Sequence, residues 1–224
     1  MPHSAVAVKI CGLTDINQAD AVAAMGAQAI GVIGVEGSPR FVAEAKRREL
    51  FMHLQHHHPD VERVWVVADL DEQTLDAALG GDGVPSVVQL HGDESPQRCA
   101  QLRSRHPCTQ WWKALRLRQA QDLRRLQGYG ACVDALLLDA WSPDQLGGTG
   151  HRLNLDWLET LDRHRPASLP WWLAGGISAE WIPKLLGKVR PDGLDASSRL
   201  ETAPGIKNLT KVQALIEAAS QNHS

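Results

Sequence analysis

The chain has few residues of the kinds that mark disulfide-rich, secreted or membrane-spanning proteins. Four cysteines occur in 224 residues (Cys11, Cys99, Cys108 and Cys132), with neither CxxC spacing nor the density of a disulfide framework. No apolar run approaches the roughly 20 residues that cross a bilayer. The first residues also lack the basic and apolar regions of a secretory signal. These absences predict free thiols, no membrane partner and a cytoplasmic location.

Charge of one sign is not in excess either. The sequence has 23 Lys and Arg against 26 Asp and Glu, for a formal net charge of −3, and it has no basic stripe. We therefore predict no nucleic-acid partner. The glycine fingerprint of dinucleotide sites is absent after the first apolar segment. The histidine run at 56–58 ends a predicted helix, where the helix dipole favours histidine without any metal. We expect no cofactor and no metal.

What the chain does have is a regular alternation of short apolar segments with longer amphipathic ones. Eight segments predict strands: 5–11, 28–34, 61–68, 86–90, 110–115, 134–139, 170–174 and 192–196. Eight segments of helical period follow them: 14–26, 42–57, 71–80, 94–106, 118–128, 153–164, 178–187 and 206–220. This count predicts an α/β protein, a single (β/α)8 TIM barrel over residues 1–224. An open doubly wound sheet is the alternative, because sequence alone does not show closure.

Polar residues recur on one face of several predicted strands. Strict alternation places Cys11 at the carboxyl end of the first strand, on the face opposite its branched residues. The same alternation turns Gln89 and His91, Asp139, and Asp195 to the inner face of three later strands. Because parallel strands place their chemistry at their carboxyl ends, we expect these side chains to share one rim.

Lys9 lies one layer below Cys11 on the same face. Inside a barrel this lysine would be buried, and a buried ammonium needs an anionic partner. Asp195 or Asp139 could supply it. The ammonium would in turn favour the thiolate form of Cys11.

Two loops after the last predicted strands suit a phosphate group. LAGGIS contains Gly175 and Gly176 and ends the seventh strand, whereas LDASSRLE contains Ser197 and Ser198 and follows the eighth. Barrels commonly bind phosphate with these two loops, through free backbone amides and the positive end of a short helix. Adjacent loops of this kind predict a phosphate site.

Two further loops could contact a ligand. The segment 146–152 contains Gly148 and is flexible enough to fold over a bound molecule. Arg40 follows Pro39 directly, and a guanidinium on a stiff loop suits a bidentate grip on a carboxylate. A base, an acid, an anion clamp and a phosphate loop together predict acid–base chemistry on a phosphorylated small molecule that bears a second acidic group.

The ordered motifs resemble those of the phosphoribosylanthranilate isomerase family. They are KICGLT (9–14), SPRFV (38–42), VQLHGDES (88–95), LLLDA (136–140), GGTG (147–150), LAGG (173–176), and LDASS followed by PGIKN (194–208). The resemblance covers essentially the whole chain. It implies a (β/α)8 barrel that carries out an Amadori rearrangement in tryptophan biosynthesis without a cofactor.

The resemblance also implies roles for individual residues. Cys11 would be the general base and Asp139 the general acid. Arg40 would hold the aryl carboxylate of N-(5-phosphoribosyl)anthranilate, and Asp195 would contact a ribose hydroxyl or position its neighbours. The remaining implied substrate contacts comprise the phosphate ligands and two flanking residues: Gly175, Gly176, Ser197, Ser198, His91 and Gly148.

The sequence departs from the pattern of this family at two places, and three other functions are alternatives. Arg199 stands where the family commonly has glycine, and VIGVEG at 32–37 replaces a more aromatic segment. Two alternatives are related phosphosugar barrels. One is an epimerase, which needs a metal with paired aspartates and histidines, and the other is an indoleglycerol-phosphate synthase, which needs a lysine and a glutamate at the rim. The third alternative is an inactive protein that binds a phosphorylated ligand. We expect a monomer or a homodimer.

Overall fold

Eight parallel strands close into a barrel in the order in which they occur in the chain. The structure, a computed structural model, describes residues 6–140 and 152–221. The strands are β1 (Ala7–Cys11), β2 (Ala29–Ile33), β3 (Glu62–Val67), β4 (Val87–Leu90), β5 (Gln110–Leu117), β6 (Ala135–Ala140), β7 (Trp171–Leu173) and β8 (Gly193–Ala196). Closure comes from β8 pairing with β1, with Lys9 in register with Asp195. The barrel prediction is confirmed, and the open sheet is wrong.

Helices connect consecutive strands and cover the outside of the barrel. They are α1 (Ile16–Ala24), α2 (Glu44–His57), α3 (Glu72–Ala78), α4 (Pro96–Arg105), α5 (Leu155–Leu158), α6 (Ile182–Leu186) and α7 (Leu209–Gln221), with 3-10 helices at Ala120–Tyr129, Leu161–Arg163, Ala179–Trp181 and Ser198–Leu200. Asp15, Asp71 and Ser95 cap α1, α3 and α4 by accepting a hydrogen bond from a backbone N–H. Within the described ranges, none of the helices has the length and apolarity to cross a bilayer.

The structure changes several of the predicted helices. The segment 118–128 is a 3-10 helix, 153–164 and 178–187 are each divided between an α-helix and a 3-10 helix, and the last helix begins later than predicted. Residues 206 and 207 do not begin that helix but form β10 (Ile206–Lys207), which pairs antiparallel with β9 (Glu201–Ala203). The turn between them contains Gly205 with φ +80°, a left-handed conformation that favours glycine. The hairpin delays α7 to Leu209 and brings Glu201 and Lys207 to the mouth of the barrel.

Alternation along the strands separates two cores. The outward side chains, which pack beneath the helices, include Val8, Ile10, Val88, Leu90, Leu136, Leu138, Leu194 and Ala196. Inside the barrel, Trp112 of β5 and Trp172 of β7 lie with ring centroids 4.7 Å apart. Gly193 on β8 makes room for this pair, because an added Cβ would lie 2.2 Å from a ring carbon of Trp172. The interior of the barrel is therefore filled with side chains. A ligand would bind at the rim formed by the carboxyl ends of the strands.

We expect Gly193→Ala to lower the free energy of unfolding by about 1–3 kcal/mol, since a methyl group there overpacks the tryptophan pair. Urea unfolding monitored by tryptophan fluorescence measures the change. Gly37→Ala is the matched control, because its added Cβ meets no atom within 4 Å. Equal stability of the Gly193→Ala protein and the control would contradict this account of the interior.

Candidate active site

The residues predicted for proton transfer lie at the same end of the barrel. Cys11 ends β1 and Asp139 is the last residue but one of β6. Both are buried, at 6% and 5% exposure. Gly31 on the neighbouring β2 leaves space for the thiol, because an added Cβ would lie 2.7 Å from Cys11 Sγ. Cys11 and Asp139 therefore face the inside of the barrel, as the alternation along their strands predicts.

Lys9 lies directly below Cys11 and is completely buried. Its Nζ lies 2.9 Å from Asp195 Oδ2 and donates a 2.9 Å hydrogen bond to Gln89 Oε1. The expectation of an anionic partner is confirmed, and the partner is Asp195 rather than Asp139. The register of β1 on β8 explains the choice, since it places these two residues side by side on the inner face.

Burial and neighbouring charges act against each other on these groups. Burial lowers the pKa of Lys9, but Asp195 and Cys11 outweigh it and raise this pKa above its ordinary value. Burial raises the pKa of the Cys11 thiol, whereas Lys9 and Lys207 act to lower it. Lys9 therefore favours the thiolate of Cys11, as predicted. The effect of burial on the thiol is larger than that of Lys9, so the pKa of Cys11 is raised.

A chain of polar contacts continues from Lys9 to Asp139. Gln89, which accepts from Lys9, has its Nε2 3.1 Å from His91 Nδ1. His91 Nε2 lies 3.5 Å from Asp139 Oδ2, and this buried ring nitrogen has no hydrogen-bond partner among the described residues. The prediction that Gln89 and His91 face the inside of the barrel is confirmed. His91 and Asp139 thus contact each other at the rim.

The loop after β4, which carries His91, is anchored by a second buried ion pair. Lys113 Nζ lies 2.6 Å from Glu94 Oε2 and also donates to the carbonyl oxygen of Gly92. Glu94 Oε1 accepts a hydrogen bond from the backbone N–H of Asp69 in the preceding loop. Sequence reasoning missed Lys113, because it follows two tryptophans on a buried strand and has no neighbour in sequence that reveals its partner.

Arg40 is buried in a charge network at the mouth rather than extended into solvent. Its Nε and Nη2 donate to the carboxylate of Glu201, with Nη2 2.7 Å from Oε2, and Lys207 Nζ lies 2.6 Å from Glu201 Oε1. Burial acts to raise the pKa of Glu201, but Arg40 and Lys207 outweigh burial and lower it. The Arg40 side chain packs on Gly12, where an added Cβ would lie 2.6 Å from Arg40 Cδ.

Sequence reasoning missed Glu201 as the partner of Arg40 and Lys207 as the second cation on Glu201. Both lie in the β9–β10 hairpin, more than 150 residues along the chain from Arg40. The only signal was the turn-forming Pro204-Gly205 pair, which argues against a helix starting at 206.

The predicted phosphate loops follow β7 and β8 at the same rim. Gly175 and Gly176 have φ values of +91° and +63°, so both need the conformational freedom of glycine. Arg152 donates to the carbonyl oxygen of Gly176 and to Ser178 Oγ, each at 3.3 Å. Its guanidinium lies 4.7 Å from the ring centroid of Trp181. Arg152 is a further cation at this loop that the sequence did not single out.

The loop after β8 is tied to the strand that carries the thiol. Ser197 Oγ donates to the carbonyl oxygen of Cys11 at 3.0 Å, and Ser198 begins the short 3-10 helix Ser198–Leu200. Arg199 in that helix does not have a positive φ. The departure from glycine at this position therefore imposes no backbone strain.

Other predicted features lie outside the described residues or elsewhere in the fold. Gly148 belongs to the segment 141–151, outside the part of the chain that the structure describes. Histidines of the 53–58 region contact Asp20, with His53 and His58 Nε2 2.8 and 2.9 Å from its Oδ1. Across residues 6–140 and 152–221, no group of three or more His, Cys, Asp or Glu side chains could hold a metal ion.

Comparison with known proteins agrees with this geometry. Residues 8–218 match the model of the N-(5'phosphoribosyl)anthranilate (PRA) isomerase family. An N-(5'-phosphoribosyl)anthranilate isomerase of Synechococcus elongatus is 45% identical over 215 residues, covering 96% of both chains. A solved phosphoribosyl anthranilate isomerase of Thermotoga maritima superposes with a TM-score of 0.83 at 28% identity, covering 96% of this chain and 98% of that one.

A second solved structure bears on the ligand. It is a phosphoribosyl anthranilate isomerase in complex with reduced 1-(o-carboxyphenylamino)-1-deoxyribulose 5-phosphate, and it superposes with a TM-score of 0.79 at 27% identity, covering 96% of this chain and 98% of that one. The match to the family model spans nearly the whole chain, and the identity to the curated relative extends over the same length. The chain belongs to the N-(5'-phosphoribosyl)anthranilate isomerase family.

Proposed function

We propose that this chain isomerises N-(5'-phosphoribosyl)anthranilate to 1-(2-carboxyphenylamino)-1-deoxyribulose 5-phosphate in tryptophan biosynthesis, with Cys11 as general base and Asp139 as general acid. Family membership supports the reaction. The observation that supports the residue roles is the burial of the Cys11 thiol and the Asp139 carboxyl group at the same mouth of the barrel. Lys9, whose charge acts on Cys11, is connected to Asp139 by polar contacts through Gln89 and His91.

The reaction needs two proton transfers in opposite directions. Asp139 in its protonated form donates to the furanose ring oxygen, which breaks the bond from that oxygen to C1′ and gives a Schiff base. Cys11 as thiolate then removes the proton from C2′, and the resulting enolamine tautomerises to the ketone. A cationic neighbour suits the group that must lose its proton, and Lys9 and Lys207 both act on Cys11 in that direction.

The charged groups of the rim fit the two anionic ends of this substrate. Arg40 would bind the anthranilate carboxylate with Nη1, since its Nε and Nη2 donate to Glu201. The phosphate would lie on the backbone amides of Gly175, Gly176, Ser197 and Ser198. His91 beside Asp139, Asp195 below the mouth and Gly148 complete the proposed contacts.

Asp195 has a second role in this proposal. Its Oδ2 contacts Lys9, whereas its Oδ1 is buried without a hydrogen-bond partner among the described residues. A ribose hydroxyl would satisfy that oxygen. The absence of nucleic-acid and membrane partners, the monomeric or homodimeric state and the cytoplasmic location stay predictions.

Removing either proton-transfer group should abolish most of the turnover. We expect Cys11→Ala and Asp139→Asn each to lower kcat by about 10²–10⁴-fold, with much smaller changes in the affinity for a product analogue. Loss of anthranilate fluorescence measures turnover. Cys108→Ser is the control for Cys11, because Cys108 is exposed. Near-normal kcat in either site variant would refute its role, and a wild-type protein without turnover would favour the inactive phosphate-ligand binder.

Arg40 should act on binding more than on chemistry. We expect Arg40→Ala to raise KM by about tenfold or more, because a charge-assisted hydrogen bond to the substrate carboxylate is lost, while kcat falls less. Steady-state kinetics separates the two constants. Arg105→Ala removes an exposed guanidinium that pairs with Asp76 on the outside of the barrel and serves as the control. An unchanged KM in Arg40→Ala would remove Arg40 from the carboxylate site.

The raised pKa of Cys11 predicts the pH dependence. A raised pKa means that a smaller fraction of the thiol is ionised at any given pH, so its reactivity should still be increasing above pH 9.0, the ordinary value. Alkylation by iodoacetamide, followed by mass spectrometry of the Cys11 peptide, measures this in the unliganded protein. We expect kcat/KM to rise over the same range. A plateau well below pH 9.0 in both measurements would contradict the dominance of burial.

A further inference from the structure

We propose that Gln89 is a positioning residue that determines which ring nitrogen of His91 carries the hydrogen, so that His91 presents an Nε2–H group to Asp139. Gln89 is a buried amide on β4 whose side chain faces the inside of the barrel. Its bearing on catalysis rests on the proposed function, whereas the arrangement of hydrogens follows from the contacts alone.

Lys9 determines how the Gln89 amide is oriented, because its ammonium has three hydrogens and no acceptor. The Gln89 atom that lies 2.9 Å from Lys9 Nζ must therefore be the amide oxygen. A rotated amide would bring its NH₂ group against the ammonium, donor against donor. Lys9 cannot move away from this contact, because it is fully buried and its Nζ is held 2.9 Å from Asp195 Oδ2.

With the oxygen fixed on Lys9, the amide nitrogen of Gln89 faces His91. Its NH₂ group can only donate, and the ring atom it meets at 3.1 Å is His91 Nδ1. That nitrogen must therefore accept, so it carries a lone pair and the ring hydrogen is on Nε2. Water does not compete with these bonds, because Gln89 is 1% exposed and His91 6% exposed.

The Nε2 side of the His91 ring faces the proposed general acid. His91 Nε2 lies 3.5 Å from Asp139 Oδ2, its nearest acidic oxygen in the ion-pair contacts, and makes no hydrogen bond to any described residue. A ring nitrogen that already bears a hydrogen cannot take the proton of Asp139, so that proton goes to the substrate oxygen. The N–H then faces the carboxylate that the transfer leaves behind and stabilises its charge.

Isotope-labelled ring nitrogens of His91, observed by NMR at mildly alkaline pH in the unliganded protein, test the arrangement without any substrate. The signals are assigned by their loss in His91→Asn. We expect the hydrogen on Nε2 in the wild type. In Gln89→Glu the carboxylate accepts from both Lys9 and the ring, so the hydrogen should move to Nδ1. In Gln89→Met neither bond forms, and both tautomers should be populated.

Kinetics gives the second readout. We expect Gln89→Glu to lower kcat by about tenfold or more with KM changed by less than about threefold, and Gln89→Met to have an intermediate effect. Gln101→Glu makes the same change of charge at an exposed position on α4 and should match the wild type in kcat and tautomer.

Two results would overturn the proposal: a wild-type His91 with its hydrogen on Nδ1, or a Gln89→Glu protein with the wild-type tautomer and kcat. The wild-type spectrum alone is decisive if the variants do not fold. A wild-type protein that has the Nε2 hydrogen but does not turn over phosphoribosylanthranilate would refute the proposed function and leave the tautomer assignment standing.

Discussion

The buried ion pair between Lys9 and Asp195 is the interaction on which the rest of the site depends. It crosses the seam where β8 meets β1, so it forms only when the barrel is closed in the observed register. A shift of one residue would turn one of the two side chains to the opposite face of the sheet. The surviving charge would be buried alone, which costs several kcal/mol. Closure of the fold and assembly of the site are therefore one event.

A second network lies beside this ion pair at the mouth, on the loops that follow β2 and β8. The Glu201 carboxylate accepts hydrogen bonds from two nitrogens of Arg40 and from Nζ of Lys207, so two cations share one carboxylate. The excess positive charge favours an anion at this position, and the bidentate grip fixes the plane of the guanidinium before any ligand arrives. Lys207 also acts to lower the pKa of Cys11. The hairpin that carries Glu201 and Lys207 thus connects Arg40, the proposed carboxylate ligand, to the ionisation of the thiol.

The sequence predicts those parts of the site that depend on local periodicity. Alternation along a strand fixes the side to which Cys11, His91 and Asp139 turn, whatever the other strands do. It does not predict the partner of Lys9, because Asp195 and Asp139 both face inward and only the register of the closed barrel distinguishes them. It also cannot weigh burial against charge, which is why the raised pKa of Cys11 emerges only from the packed structure.

The hairpin at 201–207 was missed for a different reason. The residues after 208 have a strong helical period, and extending that period back over residues 206 and 207 ignores the Pro-Gly turn before them. Both buried charges of the hairpin pair with Arg40 or with each other, a set of contacts that no local pattern encodes.

The chemistry of lysine explains how Lys9 can act on both Cys11 and the Gln89–His91–Asp139 contacts. Its ammonium has three hydrogens in tetrahedral directions. Asp195 Oδ2 and Gln89 Oε1 both lie 2.9 Å from Lys9 Nζ, and Lys9 also affects Cys11 through its charge. Lys9 therefore acts on Cys11, the proposed base, through its charge, and on His91, the neighbour of the proposed acid Asp139, through Gln89. Because one ammonium contacts both Asp195 and Gln89 and its charge acts on Cys11, a change at Gln89 would also change the electrostatic environment of the proposed base.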